Sequence, residues 1–434
     1  MNNKILTIYA ISILLGILVG IMGSLFQIVI EYSNNFINYI LDFANGFHIP
    51  PQLTSALISM LLILLALFLV KRFAPEASGS GIQEIEGTLL HERPIFWRRL
   101  LPVKFFGGVM AISSKLLVGR EGPTIQMGGN LGDMLGELLH IRQDRRDTLI
   151  AAGAAAGLAT AFNAPLAGVL FVIEEMRSQF NFNFTNFKMV AICCVAATVT
   201  LRFILGSQPA IPMSIFPTPH LSSLILFFIL GIVVGFVGLI FNIILMFNLS
   251  LTDKLKPSTQ YIYVAIIGAL VGFLAVYDLP LVGGGYEIIE KSLHLFPPLS
   301  VLIGLVFWRF MGTMFSYGTG VPGGVFAPLL ALGTLLGFVC FQFLAKYSSL
   351  TVGIHPGMFV VAGMGALFSA AVRAPITGIV LIVEMTQNYL LILPLMVTCL
   401  TATTIVQLAN NPPIYTQLLD RTLKKQNQAK LEKA

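Results

Sequence analysis

Long uncharged stretches set the first limit on what this chain can become. Residues 5–30, 150–173 and 203–252 contain no lysine, arginine, aspartate or glutamate. A helix crossing a bilayer needs about 20 mostly apolar residues, and roughly eleven runs meet that pattern. A chain of 434 residues that is 56% hydrophobic and only 11% charged cannot cover them with a hydrated surface. Soluble domains carry about 25% charged residues. The chain therefore reads as an all-α integral membrane protein. Its first apolar run is too long for the core of a signal peptide, and no small-residue cleavage site follows it.

The net charge of +6 is not gathered into a nucleic-acid-binding face. Arg93, Arg98, Arg99 and Lys104 form one basic group; Arg142, Arg145 and Arg146 form a second; Arg177 and Lys188 form a third. All read as short connections. Arg421, Lys424, Lys425, Lys430 and Lys433 mark the C-terminal segment. Basic connections stay in the cytoplasm, which places these segments and both termini inside. Cys193, Cys194, Cys340 and Cys399 lie in apolar runs without metal-ligand spacing, so they read as buried thiols. No metal or other cofactor is expected.

An internal repeat organises the chain. Residues 153–174 and 363–384 share Gly153/Gly363, Ala164-Pro165/Ala374-Pro375, Gly168/Gly378 and Glu174/Glu384. Upstream, Pro123, Gly128 and Gly132 match Pro328, Gly333 and Gly337 in spacing. Further upstream, a glycine cluster at 79–81 matches one at 283–285. Residues 1–411 form one transmembrane domain, with repeat halves near 53–206 and 221–411. Residues 412–434 read as a polar tail too small for a regulatory domain.

Repeated halves in a membrane protein point to a transporter or channel, with its site between the halves on helices broken inside the bilayer. The candidate breaks are SGSGIQE, GREGPTIQMGG and GVPGGVFAP. Surface loops are also rich in Gly and Pro, so pattern alone leaves both readings open. A helix that starts within the membrane exposes about four free N–H groups and the positive end of its dipole. Several such ends aimed at one point hold an anion without a full positive charge, and so let it leave.

These residues carry a resemblance. Gly119-Arg120-Glu121-Gly122-Pro123 is similar to the GREGP signature of the CLC chloride channel and transporter family. Gly324-Val325-Phe326-Ala327-Pro328 fits its GxFxP signature, and residues 79–82 fit the start of its GSGIP signature. The segments LPVKFFGG, FNAPLAG, EEM and AGMGAL resemble the bacterial exchangers of the family. The resemblance implies two inverted repeats, about eighteen helices of unequal length with several broken at mid-membrane, and a homodimer with one pore per subunit. It implies exchange of chloride for protons across a bacterial inner membrane, with a passive chloride channel of the same fold as the alternative. Ser80 and Tyr415 resemble the hydroxyl ligands of the central anion, and the N–H groups of Val325 and Phe326 would add donors. Glu121 resembles the gating glutamate. Glu175 resembles the internal proton-transfer glutamate that channels of the family lack. Lys104 and Arg120 resemble basic residues that shape the potential along the route. The paired nucleotide-binding (CBS) domains of larger relatives have no counterpart here, so no ATP dependence is expected. Ser80 and the intact GREGP favour chloride over nitrate or fluoride. One departure is Gln83, where the signature has proline; a free N–H there is expected to loosen the serine turn.

Read without the family, each residue has a plainer use. Glu121 suits a helix-start carboxylate, Glu175 a membrane-edge partner for Arg177, Ser80 a helix cap, and Tyr415 an interface anchor. An intramembrane enzyme is the third class considered. His91-Glu92 does not continue into HExxH, and no GxSxG or Walker lysine motif occurs, so no nucleophile–base pair emerges.

Overall fold

The computed structural model describes residues 2–176, 183–277, 279–292 and 297–431. Arg177 and Lys433, counted above among the basic residues, lie outside them. The described residues form seventeen α-helices and no β-strand. The first set is α1 (Asn2–Gly46), α2 (Pro51–Phe73), α3 (Ile82–Leu89), α4 (Trp97–Ser113), α5 (Glu121–Leu138), α6 (Gln143–Phe162), α7 (Pro165–Glu174) and α8 (Phe184–Leu205). The second is α9 (Leu224–Asp253), α10 (Pro257–Ala275), α11 (Tyr286–Ser292), α12 (Leu299–Gly318), α13 (Phe326–Tyr347), α14 (Pro356–Val372), α15 (Pro375–Thr386) and α16 (Ile392–Leu408). A last helix, α17 (Ile414–Leu431), follows.

Eight helices are long and apolar enough to cross a membrane, and three further apolar ones have only 10–17 residues. At 1.5 Å per residue, the ten-residue α7 spans about 15 Å, half a bilayer core. Its ends must therefore be satisfied by protein. Glu384, near the end of α15, accepts the N–H groups of Leu166 (3.2 Å) and Ala167 (2.9 Å) at the start of α7. Glu174, the last residue of α7, accepts those of Ile376 (3.0 Å) and Thr377 (2.7 Å) at the start of α15, and the Thr377 hydroxyl. Each short helix caps the other, so Glu174 and Glu384 are structural acids, as their repeat positions suggest.

The repeat extends to backbone geometry. A Cβ on Gly128 would stand 2.1 Å from Gly153 O, and one on Gly333 2.4 Å from Gly363 O. Small residues thus let α5 cross α6, and α13 cross α14, at backbone contact. Helices α6 and α14 both end on a left-handed residue, Asn163 (φ 54°) and Arg373 (φ 64°). Each is followed by Ala and then by a Pro that opens the next helix.

Three sequence expectations change. Helix α1 packs on α8 as α9 packs on α16, so α1 belongs to the repeat although its start was read near residue 53. Gly16, Gly20 and Gly23 of α1 match Gly231, Gly235 and Gly238 of α9 in spacing, a sign of the match that the sequence reading did not use. The segment taken for a tail is mostly helix α17, whose Ile414, Tyr415, Leu418 and Leu419 are buried. Lys104, grouped with the basic connections, is fully buried within α4.

Candidate functional site

The three suspected breaks are stitched to one another. Gly79 N–H donates to Val321 O (3.2 Å), and Gly323 N–H returns a bond to Gly79 O (3.0 Å). Gly119 N–H donates to Gly324 O (2.7 Å), and Gly324 N–H donates to Gly119 O (2.8 Å). The starts of α3, α5 and α13 are therefore held side by side, each with first-turn N–H groups outside its helical ladder. The approach requires glycine at 122, where a Cβ would lie 2.5 Å from Ser80 Oγ and 2.8 Å from Ser80 Cα. At 81, φ is +86° and a Cβ would meet Gln126 Oε1 at 2.1 Å.

Two hydroxyls converge here. Ser80 Oγ and Tyr415 Oη are fully buried and have no hydrogen-bond partner among the described residues. Leaving such a group unmatched costs about 1–3 kcal/mol. Tyr415 faces Tyr317 and Glu121, and Tyr317 Oη accepts the Ser80 N–H at 3.3 Å. Val325 caps α13 and Phe326 opens it, so both N–H groups lie at its free end. The Phe326 ring packs 6.0 Å from the Tyr415 ring and 4.7 Å from the Phe368 ring, which fixes that end of α13 against α17 and α14.

Glu121 is fully buried at the first position of α5. Its Oε1 accepts the Tyr286 hydroxyl at 2.5 Å. Its Oε2 has no partner by hydrogen-bond geometry and lies beside Gly119 and Ala327. Arg120 sits 5.1 Å from the centre of the Tyr286 ring and donates to Ala161 O at 3.3 Å. Glu175 is half-buried after the end of α7, and its carboxyl interacts with that of Glu86, a buried acid of α3. Two carboxyls so placed can hold a proton between them. Lys104 Nζ donates to Ala77 O (3.0 Å) and Gly79 O (2.7 Å), so it pins the serine turn.

Gln83 corrects an expectation. Its Oε1 accepts the Gly81 N–H at 3.2 Å. The turn is tied where a looser one was anticipated, because a glutamine in the first turn can reach back to a free N–H that proline leaves unmatched.

Sequence reasoning missed Tyr286, Tyr317, Glu86 and Arg309. Arg309 is buried in α12 and donates to Pro280 O (3.2 Å), Val282 O (2.9 Å) and Gly283 O (2.9 Å). The repeat held the missing signal. Tyr286 follows Gly285 as Ile82 follows Gly81, and Arg309 stands in α12 where Lys104 stands in α4.

Two cavities flank the site. One of about 550 Å3 is lined by Gly79 and Tyr317 together with Arg93, Arg421 and Lys425. The other, of about 180 Å3, is lined by Gly119, Arg120, Gly284 and Tyr286. Ser78 and Gly79 beside Ser80 line the first, and Gly119 and Arg120 beside Glu121 line the second.

Residues 62–407 match the family described as voltage gated chloride channel. The chain belongs to this CLC family. It is 46% identical over 420 residues to the H(+)/Cl(-) exchange transporter ClcA of Vibrio cholerae, covering 96% of this chain and 90% of that protein. The counterpart from Yersinia pestis is 41% identical over 435 residues, at 98% and 90% coverage. Among solved structures, a slow cyanobacterial Cl-/H+ antiporter superposes with a TM-score of 0.91 at 40% identity, covering 97% of this chain and 99% of that one. A eukaryotic CLC transporter gives 0.82 at 22% identity, covering 98% of this chain and 75% of that one, which speaks for the fold alone. The architecture is the CLC fold, in an integral membrane protein.

Proposed function

We propose that this CLC protein is a secondary active transporter that exchanges chloride for protons. The observation that carries the reading is a pair of buried hydroxyls, Ser80 and Tyr415, without hydrogen-bond partners among the described residues, beside a buried carboxylate at three helix starts. Hydroxyl and backbone donors with partial dipole charge suit a small monovalent anion. In the proposed cycle, chloride passes from the cavity under Arg93 and Arg421 to the position between Ser80, Tyr415 and the N–H groups of Val325 and Phe326. The next position outward is filled by the Glu121 carboxylate, an anion mimic. When Glu121 takes a proton it loses its charge, and a second chloride can replace it. Glu175, with Glu86, passes the proton to and from the side of α17. Lys104 holds the serine turn and contributes positive potential, as does Arg120 on the other side. Proton and chloride compete for one state of Glu121, which couples them.

The basic segments support a cytoplasmic position for α17 and both termini, in a bacterial inner membrane. The protein works as a homodimer with one pore per subunit. Supporting this, Glu174 and Glu384 are only half-buried, and Leu166 and Ile376 beside them are 62% and 53% exposed. A carboxylate facing lipid is expensive, and a second copy would cover both.

The test is proton movement in proteoliposomes under a chloride gradient with the membrane potential clamped. Wild type should drive protons against their own gradient, and Glu175→Gln should keep chloride flux and lose proton movement. Chloride flux without proton movement in wild type would make this a channel.

A further inference from the structure

Tyr286 is the side chain that the exchange scheme leaves without a task, yet it makes the shortest contact to the gate. Its hydroxyl donates to Glu121 Oε1 at 2.5 Å across 165 residues of sequence. The tyrosine is not free to drift. Its ring lies under the Arg120 guanidinium. The turn before it is fixed by Arg309 through the carbonyls of Pro280, Val282 and Gly283, and by a bond from Gly283 N–H to Lys115 O at 2.7 Å. The same residue lines the smaller cavity together with Gly119 and Arg120, the two residues before the gate.

We infer that Tyr286 is a latch on the outer gate: its hydroxyl restrains the Glu121 carboxylate in the anion position, and each turnover must break that bond. A hydrogen bond to a charged acceptor is stronger than one between neutral groups. It stabilises the closed arrangement and makes no contact that the open one needs, so it slows opening without altering what is exchanged. A tyrosine placed only for packing would leave its hydroxyl on solvent or backbone. Here the hydroxyl is on the gate, and the ring is held by the arginine next to the gate. The inference rests on Glu121 being the gate.

The experiment compares wild type, Tyr286→Phe, Glu121→Ala and the double variant in proteoliposomes. Turnover, half-saturating chloride and the proton-to-chloride ratio are measured for each. Phenylalanine keeps the ring beneath Arg120 and removes only the hydroxyl. Tyr286→Phe should raise maximal turnover about tenfold to a hundredfold, leave the half-saturating chloride no higher and keep the ratio. In the Glu121→Ala background the same change should do nothing, because no carboxylate remains to restrain. Unchanged or slower turnover in Tyr286→Phe, or an equal gain with and without Glu121, would overturn the latch. If Glu121→Ala still couples protons to chloride, the gate reading fails instead, whatever Tyr286 does.

Discussion

Two turns related by the internal repeat have the same backbone and different work. Gly79 and Gly81 have φ of 64° and 86°; Gly283 and Gly285 have 70° and 99°. Each turn feeds a short helix, α3 or α11. Each is pinned by a buried cation from the equivalent helix, Lys104 or Arg309, bonded to turn carbonyls. Only the side chains differ. The first turn carries Ser80, whose hydroxyl is left for a ligand, and ends in apolar Ile82. The second carries Gly284 at the place of Ser80 and ends in Tyr286, which engages the gate. Duplication supplied two similar frames. Substitution at two positions made one a ligand turn and the other a gate turn, and that asymmetry lets a symmetric scaffold have an inner and an outer side.

The largest break should come at the glycine that lets the first turn reach α5. Gly122→Ala drives a Cβ into Ser80. It should abolish chloride binding by calorimetry and lower stability by about 1–3 kcal/mol, the usual cost of overpacking. Ala327 holds the corresponding place at α13, where Gly284 of the second turn leaves room for its Cβ, and Ala327→Gly should keep chloride binding.

Next in size is the ligand itself. Ser80→Ala should weaken chloride binding about tenfold to a hundredfold, the loss of one hydrogen bond to a charged group. Gly284→Ser copies the serine onto the second turn, where a Cβ would meet Val118 O at 3.3 Å and Ala327 Cβ at 3.6 Å. It should change chloride affinity less than about twofold, well under the hydrogen-bond loss above. A tighter site in that variant would show that the two turns are interchangeable.

The pinning cations come third. Lys104→Met should lower chloride affinity on the order of tenfold, through loss of nearby positive charge and of the turn's shape. Arg309→Met should spare that affinity and speed turnover as Tyr286→Phe does, because it frees the second turn. Equal effects on affinity from both would erase the distinction between the turns.

The smallest effect belongs to Gln83. Removing its side chain with Gln83→Ala deletes the bond to Gly81 N–H and should cost about 0.5–1.5 kcal/mol in thermal unfolding, with a minor loss of chloride affinity.

Much of the fold was legible because its marks are local. Gly-Pro clusters announce helix starts, and their recurrence announces the repeat. Ser80 and Glu121 stand inside such marks, and Glu174 declared its structural role by matching Glu384. What stayed hidden depends on contacts between distant segments. Tyr286 follows the second glycine cluster but matches an apolar Ile82 in the repeat, Arg309 matches a Lys104 that was itself read as a connection residue, and Tyr286 meets Glu121 across 165 residues of sequence. Lys104 was misplaced because Arg98 and Arg99 precede it and read as one basic group; burial against carbonyls leaves no trace in composition. Helix α17 was missed because its buried face is only Ile414, Tyr415, Leu418 and Leu419, set in an otherwise polar segment.

The central claim is that three helix starts and two hydroxyls hold an anion beside a carboxylate that mimics one. Anomalous diffraction from crystals of the wild-type protein soaked in bromide tests it most directly. The account predicts a bromide peak between Ser80 Oγ and Tyr415 Oη, and in Glu121→Gln a second peak where the carboxylate had been. Bromide bound elsewhere, with nothing between those two hydroxyls, would contradict it.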